Sequence, residues 1–410
     1  MTLENYLKQN NTNIRQMHKV SGIPETTIRG INKRDFSTWN VRYIDAIAAT
    51  VGKKRTAVMR ELELLKECED SSGTLGRYNL ENRRYIGNKN KLLNWISYLI
   101  EEHTDGNSFL DVFAGTGVVT KKMLSRFDSF IINDFLFSNN VIYDAFFSNM
   151  PYDSDKLLLI QKEFNKIKTN KYDDNYFSDN FGGKFFSVRD SKIIGEIRTR
   201  IENIESLNSK EKSILIASLI YSSDKIANTV GHYDAYRKKV EIPDRFNFEL
   251  INPIDTSGKN IQIYRDDSNA LVRKVAADVA FIDPPYNSRQ YSRFYHVLEG
   301  IAKWDKPSLG GVAMKPPAEN MSDYCRSSAP KVFDDLIQNL NVRYIVVTYN
   351  NTYKSKSSSS KNKITHDEIL DSLDTVGKTC VFEMPFQFFN AGKSDLKDHK
   401  EFVFITEVRR

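Results

Sequence analysis

The stretch SFLDVFAGTGVVTKKML, residues 108–124, constrains the fold more than any other part of the chain. It runs from an apolar strand through a glycine-containing turn into helix-forming residues. Gly115 and Gly117 let the backbone come close to a ligand and then open a helix. Two common nucleotide signatures are excluded. The turn is not the G-x-G-x-x-G dinucleotide fingerprint, and it lacks the Gly-Lys-Ser/Thr ending of a phosphate-cradling loop. A second apolar run, SFIINDF (129–135), ends in Asp134, 19 residues after Gly115. A ribose-binding carboxylate follows a glycine turn at about that distance in nucleotide folds. The implied ligand has a ribose and no pyrophosphate, and S-adenosylmethionine fits.

Further strands follow the same pattern. IQIYRDDSNAL (261–271) and DVAFIDPPY (278–286) read as strands ending in acids, and VRYIVVTYNN (342–351) as a strand without one. KTCVFEMPF (378–386) and EFVFITEV (401–408) read as a closing antiparallel pair. Strands that alternate with helices predict a doubly wound, mostly parallel α/β sheet. Ligands of such a sheet bind beyond the carboxyl ends of its strands. Four strands place an acid near that edge: Asp111, Asp134, Asp267 and Asp283. RRYIGNKNKLLNWISYLIEE (83–102) reads as a loop feeding an amphipathic helix. Residues 136–255 are mixed and mostly helical, and KSKSSSSKNK (354–363) is a basic low-complexity loop, read as mobile.

Composition limits the class of protein. The chain has 410 residues, enough for two or three domains. It is 40% hydrophobic and 27% charged, as a soluble globular protein is. No apolar run approaches a membrane span, and MTLENYLKQNN lacks a signal-peptide pattern. Cys68, Cys325 and Cys380 form neither a zinc spacing nor a disulfide framework, which suits the cytoplasm. The net charge of +6 permits a nucleic-acid partner without demanding one.

Residues 1–67 read as a small all-α domain, and the polar stretch EDSSGTLGRYNLENR places a linker at 68–82. MHKVSGIPETTIRGI (17–31) has Met17, Ile23, Ile28 and Ile31 at helical spacing, with Gly22 between two short helices and Pro24 in the first turn of the second. This spacing resembles the helix-turn-helix of phage-repressor-type regulators. One departure is His18, where that family usually has a small residue. The resemblance implies that Glu25, Thr26, Thr27 and Arg29 face a major groove. A helical bundle without DNA contact is the alternative.

Four motifs in order carry a second resemblance: R-Y-I-G-N-K-N-K-L, F-L-D-V-F-A-G-T-G, I-N-D-F and D-P-P-Y. Together they resemble the D12-class adenine-specific DNA methyltransferases in the alpha motif order. The segments ANTVGHYDAYRKK (227–239) and NSRQYSRFYHVLEGIAKW (287–304) resemble a subgroup associated with restriction–modification systems. The likeness covers about residues 83–410. It implies a Rossmann-like, class I S-adenosylmethionine-dependent catalytic domain over 83–135 and 256–410, with a helical target-recognition insert over 136–255. The implied partners are double-stranded DNA and, for the subgroup, a separately encoded restriction endonuclease acting on the same site. No membrane partner is implied.

Carried over motif by motif, Tyr85, Lys89, Asp111, Phe113, Gly115 and Gly117 would contact S-adenosylmethionine. Asp134 would hold the ribose hydroxyls. Asp267 would border the cofactor adenine, with Asp266 an equal candidate. Asp283, Pro284, Pro285 and Tyr286 would form the catalytic loop, with Asp283 also beside the cofactor. The exocyclic amine of adenine is a poor nucleophile, because its lone pair is delocalised into the ring. Asp283 and the Pro284 carbonyl could hold both amine hydrogens and favour a more tetrahedral nitrogen, so that positioning and electrostatics do most of the work. Tyr286 would offer a flat face to a base flipped out of the duplex. Arg289, Tyr291, Arg293 and Tyr295 would hold phosphates or fill the gap, or serve as ordinary surface and core. Arg237, Lys238 and Lys239 are candidates for target contacts.

Other chemistries lack their residues. Cytosine C5 methylation needs a cysteine nucleophile, normally after proline, and no cysteine here follows one. No His/Cys/carboxylate cluster suggests a metal, and methyl transfer needs none. His296 reads as a structural hydrogen-bonding residue rather than a base. Two further readings stay open: an exocyclic-amine methyltransferase acting on RNA or cytosine, and a DNA-binding transcription regulator with a methyltransferase-like body.

Overall fold

The computed structural model describes residues 3–10, 12–31, 39–59, 75–87, 89–168, 173–351, 362–385 and 400–409. Residues 68–74 of the expected linker, Cys68 among them, and residues 354–361 of the basic tract lie outside them. The chain divides into two compact units, 1–75 and 76–410.

The first unit contains α1 (Leu3–Gln9), α2 (Ile14–Ser21), α3 (Glu25–Ile31) and α4 (Val41–Val51). Asn13 caps α2 by accepting from the Gln16 N–H, and Gly22 ends it at φ 69°, a left-handed conformation that glycine adopts without strain. Met17, Ile23, Ile28, Ile44 and Ile47 meet in one core. His18 does not enter that core. It is exposed, and its Nδ1 lies 2.8 Å from the Ile23 carbonyl, bridging the turn. Thr26, Thr27 and Arg29 are exposed on α3, where Arg29 pairs with Glu25 at 3.9 Å.

The second unit is built on a seven-stranded sheet in the order β3-β2-β1-β4-β5-β7-β6. The strands are β1 (Ser108–Asp111), β2 (Ser129–Asn133), β3 (Asn260–Tyr264), β4 (Val279–Ile282), β5 (Tyr344–Asn350), β6 (Gly377–Pro385) and β7 (Lys400–Val408). β1 to β5 pair in parallel, and β7 runs antiparallel between β5 and β6. This is the expected doubly wound, mostly parallel sheet. Every residue of β4 and β5 is buried, as continuous apolar runs in central parallel strands require. β1 lies between β2 and β4, so the order reverses there and opens a crevice at the carboxyl ends.

Helices cover the sheet. They are α5 (Leu93–His103), α6 (Val118–Met123), α7 (Phe137–Phe147), α8 (Ser154–Asn165), α9 (Tyr176–Phe181), α10 (Val188–Asn203), α11 (Ser209–Ile226), α12 (Ser268–Leu271), α13 (Tyr291–Phe294), α14 (His296–Lys303), α15 (Ala329–Asn339) and α16 (His366–Val376). Leu110, Ala280, Ile282, Ile345 and Val347 form a core with Phe333, Leu336 and Ile337 of α15 and Ile369 and Leu373 of α16.

Two sequence expectations change in detail. The run 261–271 is not one strand: β3 stops at Tyr264, and Asp267 caps α12 by accepting from the Ala270 N–H at 3.1 Å. An acid that caps a helix ends the strand before it. The mostly helical reading of 136–255 holds to Ile226, and no α-helix follows among the described residues of that region, which lies within the second unit.

Phe333 is fully buried between α15 and the sheet. Phe333→Ala is expected to cost about 3–5 kcal/mol, read as a lower urea midpoint for the second unit.

Candidate active site

The carboxyl ends of β1, β2 and β4 bring Asp111, Asp134 and Asp283 to the same edge of the sheet. Asp111 is buried, and its Oδ2 accepts from the Thr120 hydroxyl at 2.7 Å. Its Oδ1 is equally buried and accepts nothing among the described residues. Burial pushes the Asp111 pKa up to about 7, against the Thr120 hydrogen bond and with help from Asp283 and Asp134. Asp134 accepts from the Gly115 N–H at 3.0 Å and the Leu136 N–H at 2.9 Å, so it braces the glycine turn. Burial raises its pKa to about 6, against those two hydrogen bonds, a third from the Asn139 side chain and the charge of Arg83. A carboxylate has about four acceptor sites, so two backbone donors and the Asn139 side chain leave room for a ribose hydroxyl.

The turn itself is confined. Gly115 and Gly117 have φ of 55° and 77°. A Cβ on Gly115 would sit 3.3 Å from the Tyr85 ring, and one on Gly117 3.1 Å from Phe147. Tyr143 donates to the Gly115 carbonyl at 2.7 Å. Tyr85 stacks on Tyr295 with centroids 4.8 Å apart and planes 9° apart. Phe113 meets Tyr324 edge-on at 5.0 Å. At the end of β3, Asp266 pairs with Lys274 at 2.9 Å, while the exposed Asp267 caps α12.

Asp283 is the most crowded acid. Its Oδ1 accepts from the Tyr286 hydroxyl at 2.5 Å and the Thr348 hydroxyl at 2.9 Å, and lies 2.9 Å from the Lys89 ammonium. Lys89 also donates to the Tyr286 hydroxyl at 2.8 Å. Burial works against the Lys89 charge, but Asp283 and Glu401 outweigh it and hold its pKa above the ordinary lysine value. Oδ2 of Asp283 carries no hydrogen bond among the described residues. Pro284 is buried and Pro285 half-buried. Tyr286 is half-buried, with its ring 4.5 Å from Tyr349 and its hydroxyl turned to Asp283.

The tail 287–304 and the segment 227–239 come together. Tyr233 donates its N–H to the Phe294 carbonyl at 2.7 Å, and His232 stacks on Phe294 at 4.7 Å. Tyr295 is fully buried, and its hydroxyl accepts from the Ile86 N–H at 2.9 Å, a core position. Tyr291 donates to the Ile86 carbonyl at 3.2 Å. Arg293 donates to the Pro316 carbonyl at 2.5 Å, and the Arg289 side chain is half-buried. Arg237, Lys238 and Lys239 are exposed. His296 is buried with Nε2 2.8 Å from the Ala313 carbonyl, and burial drops its pKa to about 4. That is a structural residue.

The profile of the D12 class N6 adenine-specific DNA methyltransferases matches residues 85–363. The chain belongs to this family. The sheet order is consistent with a class I S-adenosylmethionine-dependent methyltransferase fold. D12-class relatives include modification methylase StsI of Streptococcus sanguinis, 35% identical over 65% of this chain and 44% of its own length. Type II methyltransferase M.FokI of Planomicrobium okeanokoites is 29% identical over 79% of this chain and 52% of its own length. Type II methyltransferase M.NlaIII of Neisseria lactamica is 27% identical over 79% of this chain and 98% of its own length. The chain thus spans about half the length of the first two.

Methyltransferases of this family generally use S-adenosylmethionine. The edge suits such a ligand: it offers a glycine turn with room for backbone approach, the unpartnered Asp111 Oδ1, and the ring of Tyr85. Among the described residues no group of three His, Cys, Asp or Glu could hold a metal ion. No helix among them is long and apolar enough to cross a membrane. Two residues of this D12-class site escaped the sequence reading. Thr348 sits within a wholly apolar-looking strand and gives no signal. Glu401 opens the apolar run EFVFITEV, and an acid at a buried strand position was a signal.

Asp111 has a folded pKa near 7 against an ordinary 3.8. Below about pH 4 it is protonated in both folded and unfolded chains, so burial costs no charge; above that the cost grows until the folded pKa is passed. Asp111→Asn removes this dependence. In cofactor-free protein the variant is expected to gain stability relative to wild type, by at most about 4 kcal/mol, between about pH 4 and pH 8 in urea unfolding.

Proposed function

We propose that this chain transfers a methyl group from S-adenosylmethionine to the N6 amine of a flipped-out adenine in double-stranded DNA, as the modification enzyme of a restriction–modification system. The observation that carries the reading is Asp283. It stands at the switch-point edge beside the glycine turn, with Oδ1 fixed by three donors and Oδ2 without one among the described residues. The relatives' names, modification methylase and type II methyltransferase, support the same assignment.

S-adenosylmethionine, when bound, supplies an electrophilic methyl on a positively charged sulfur. Asp134, Gly115 and Tyr85 would hold its ribose and methionine parts, Asp111 would offer its spare oxygen, and Phe113 with Asp267 or Asp266 would border its adenine. Asp283 accepts one hydrogen of the target amine through Oδ2, and the Pro284 carbonyl accepts the other. The nitrogen lone pair is thereby directed away from the ring. Fixed acceptors need no reorganisation as charge develops on that nitrogen. Tyr286 holds Asp283 through its hydroxyl, so only its outer ring face is available to a base. Arg289, Arg293, Arg237 and Lys238 would contact DNA around the flipped base; Arg293 would first release the Pro316 carbonyl.

The N-terminal unit is proposed as a second DNA contact. Residues 1–67 contain 12 Lys and Arg against 7 Asp and Glu, so 12 − 7 = +5 of the chain's +6 resides there. Thr26, Thr27 and Arg29 project from it to solvent. Such a module could set enzyme levels at a promoter or tether the enzyme to its target.

Labelled S-adenosylmethionine with unmethylated genomic DNA is expected to give N6-methyladenine. Asp283→Ala is expected to lower the rate by at least about 10²–10³. Label appearing in N4-methylcytosine, or in RNA alone, would replace the substrate. For the N-terminal unit, Thr27→Ala with Arg29→Ala is expected to weaken gel-shift binding to promoter DNA while leaving methyl transfer intact; unchanged binding removes the unit from DNA recognition.

A further inference from the structure

Glu401 is a buried acid that the scheme above does not use. It lies in β7 opposite Asn350 of β5 and Met384 of β6. Side chains alternate across a strand, so Thr348, Asn350 and Glu401 share one face of the sheet, and Tyr349 and Phe402 the other. Thr348 donates to Asp283, so this face looks onto the Lys89–Asp283 pair. Lys89 and Asp283 are the charged groups that act on Glu401, and Asn350 hydrogen-bonds it. His366 packs on Phe402 and Phe404, on the opposite face. Lys400 and Glu383 pair with each other at 2.7 Å.

Glu401 is 6% exposed, and its Oε2 is buried without a hydrogen bond. No cation pairs with it among the described residues. Burial pushes its pKa up to about 7, with Lys89 pulling the other way. An unfilled acceptor beside a buried ammonium is a vacancy for that ammonium.

Lys89 sits on Oδ1 of the carboxylate whose Oδ2 is to accept the amine hydrogen. An ammonium on Asp283 weakens its pull on the amine hydrogens. A cation next to the attacking nitrogen also opposes the positive charge that develops there. Yet Lys89 cannot leave into apolar surroundings, because an unpaired buried charge is costly. We propose that Glu401 is a positioning residue for methyl transfer: its carboxylate receives the Lys89 ammonium when the target amine engages Asp283. The cation then moves between two carboxylates and stays paired throughout. A proton on Glu401 leaves to solvent as Lys89 arrives. The inference rests on the reading of Asp283 as acceptor for the amine.

The test is single-turnover methylation by the full chain from about pH 6 to pH 9, comparing wild type, Glu401→Gln, Lys89→Met and the double variant. Glu401→Gln is expected to slow the step about tenfold at the alkaline end, with DNA and cofactor affinities changed less than about twofold. Wild type should gain rate through about pH 7, and Glu401→Gln should lose the part of that rise not due to Asp111 and Asp134. In the Lys89→Met background Glu401→Gln should change nothing; with Lys89 present, Glu401→Asp should keep part of the rate that Glu401→Gln loses. A Glu401→Gln enzyme with the wild-type rate and profile, or with the same relative loss in both backgrounds, overturns the proposal. A carbon-13 titration of the Glu401 carboxyl reads the coupling directly and without turnover. Lys89→Met must raise its midpoint, and an unmoved midpoint also overturns the proposal. Wild type that methylates no adenine sinks the functional reading instead, and the carboxyl titration separates the two failures.

Discussion

The buried contact between Lys89 and Asp283 holds the site together. The two side chains are only 7% and 17% exposed. Removing one partner of such a pair leaves the other charge uncompensated, a loss of about 3–5 kcal/mol. Their contact also fixes geometry. Lys89 comes from the segment preceding α5, and Asp283 from the end of β4, 194 positions later. Pinning them together sets the 83–89 segment across the mouth of the sheet. Tyr85 then lies over the Gly115 turn and stacks on Tyr295, while Arg84 pairs with Asp224 of α11 at 3.3 Å. The glycine turn, the loop at Asp283–Tyr286 and the helical region are thus linked through one ion pair and its neighbours.

Much of this was legible in the sequence. Apolar runs closed by acids marked β1, β2 and β4, because a buried parallel strand needs apolar residues and a ligand-binding edge needs polar ones. The strand periodicity of 378–386 and 401–408 showed an antiparallel pair, but not that β7 would insert beside β5. Pattern gives strand identity, while neighbours depend on packing across the sheet. The 261–271 run misled because Asp266 and Asp267 continue an apolar strand on paper. In space Asp267 turns its oxygen to the Ala270 N–H and starts a helix.

The aromatic cluster shows the same limit. Tyr291 and Tyr295 read equally well as nucleic-acid contacts or as core, since stacking surface serves both. Burial decides for Tyr295, whose hydroxyl meets the Ile86 backbone. Thr348 and Glu401 were missed for a related reason. A single polar residue in an apolar strand acquires meaning only from what faces it, and here that is Asp283 and Lys89, both distant in sequence.

The charges at the sheet edge are out of balance without a ligand. Asp111, Asp134 and Glu401 all have pKa values pushed up by burial, to about 7, 6 and 7. Lys89, beside Asp283, reaches only part of this group; the buried Arg83 acts on Asp134, with its Nε and Nη2 making no hydrogen bond among the described residues. Acids desolvated by burial hold protons near neutral pH rather than carry a charge out of water, and for Asp111 and Glu401 the repulsion of neighbouring acids adds to the effect. A ligand carrying a positive charge would relieve that repulsion, draw the carboxylates toward their ionised forms and release protons on binding. A neutral or anionic nucleotide would not. Burial, more than repulsion between the acids, thus sets this edge to prefer a ligand of positive charge over an anionic one.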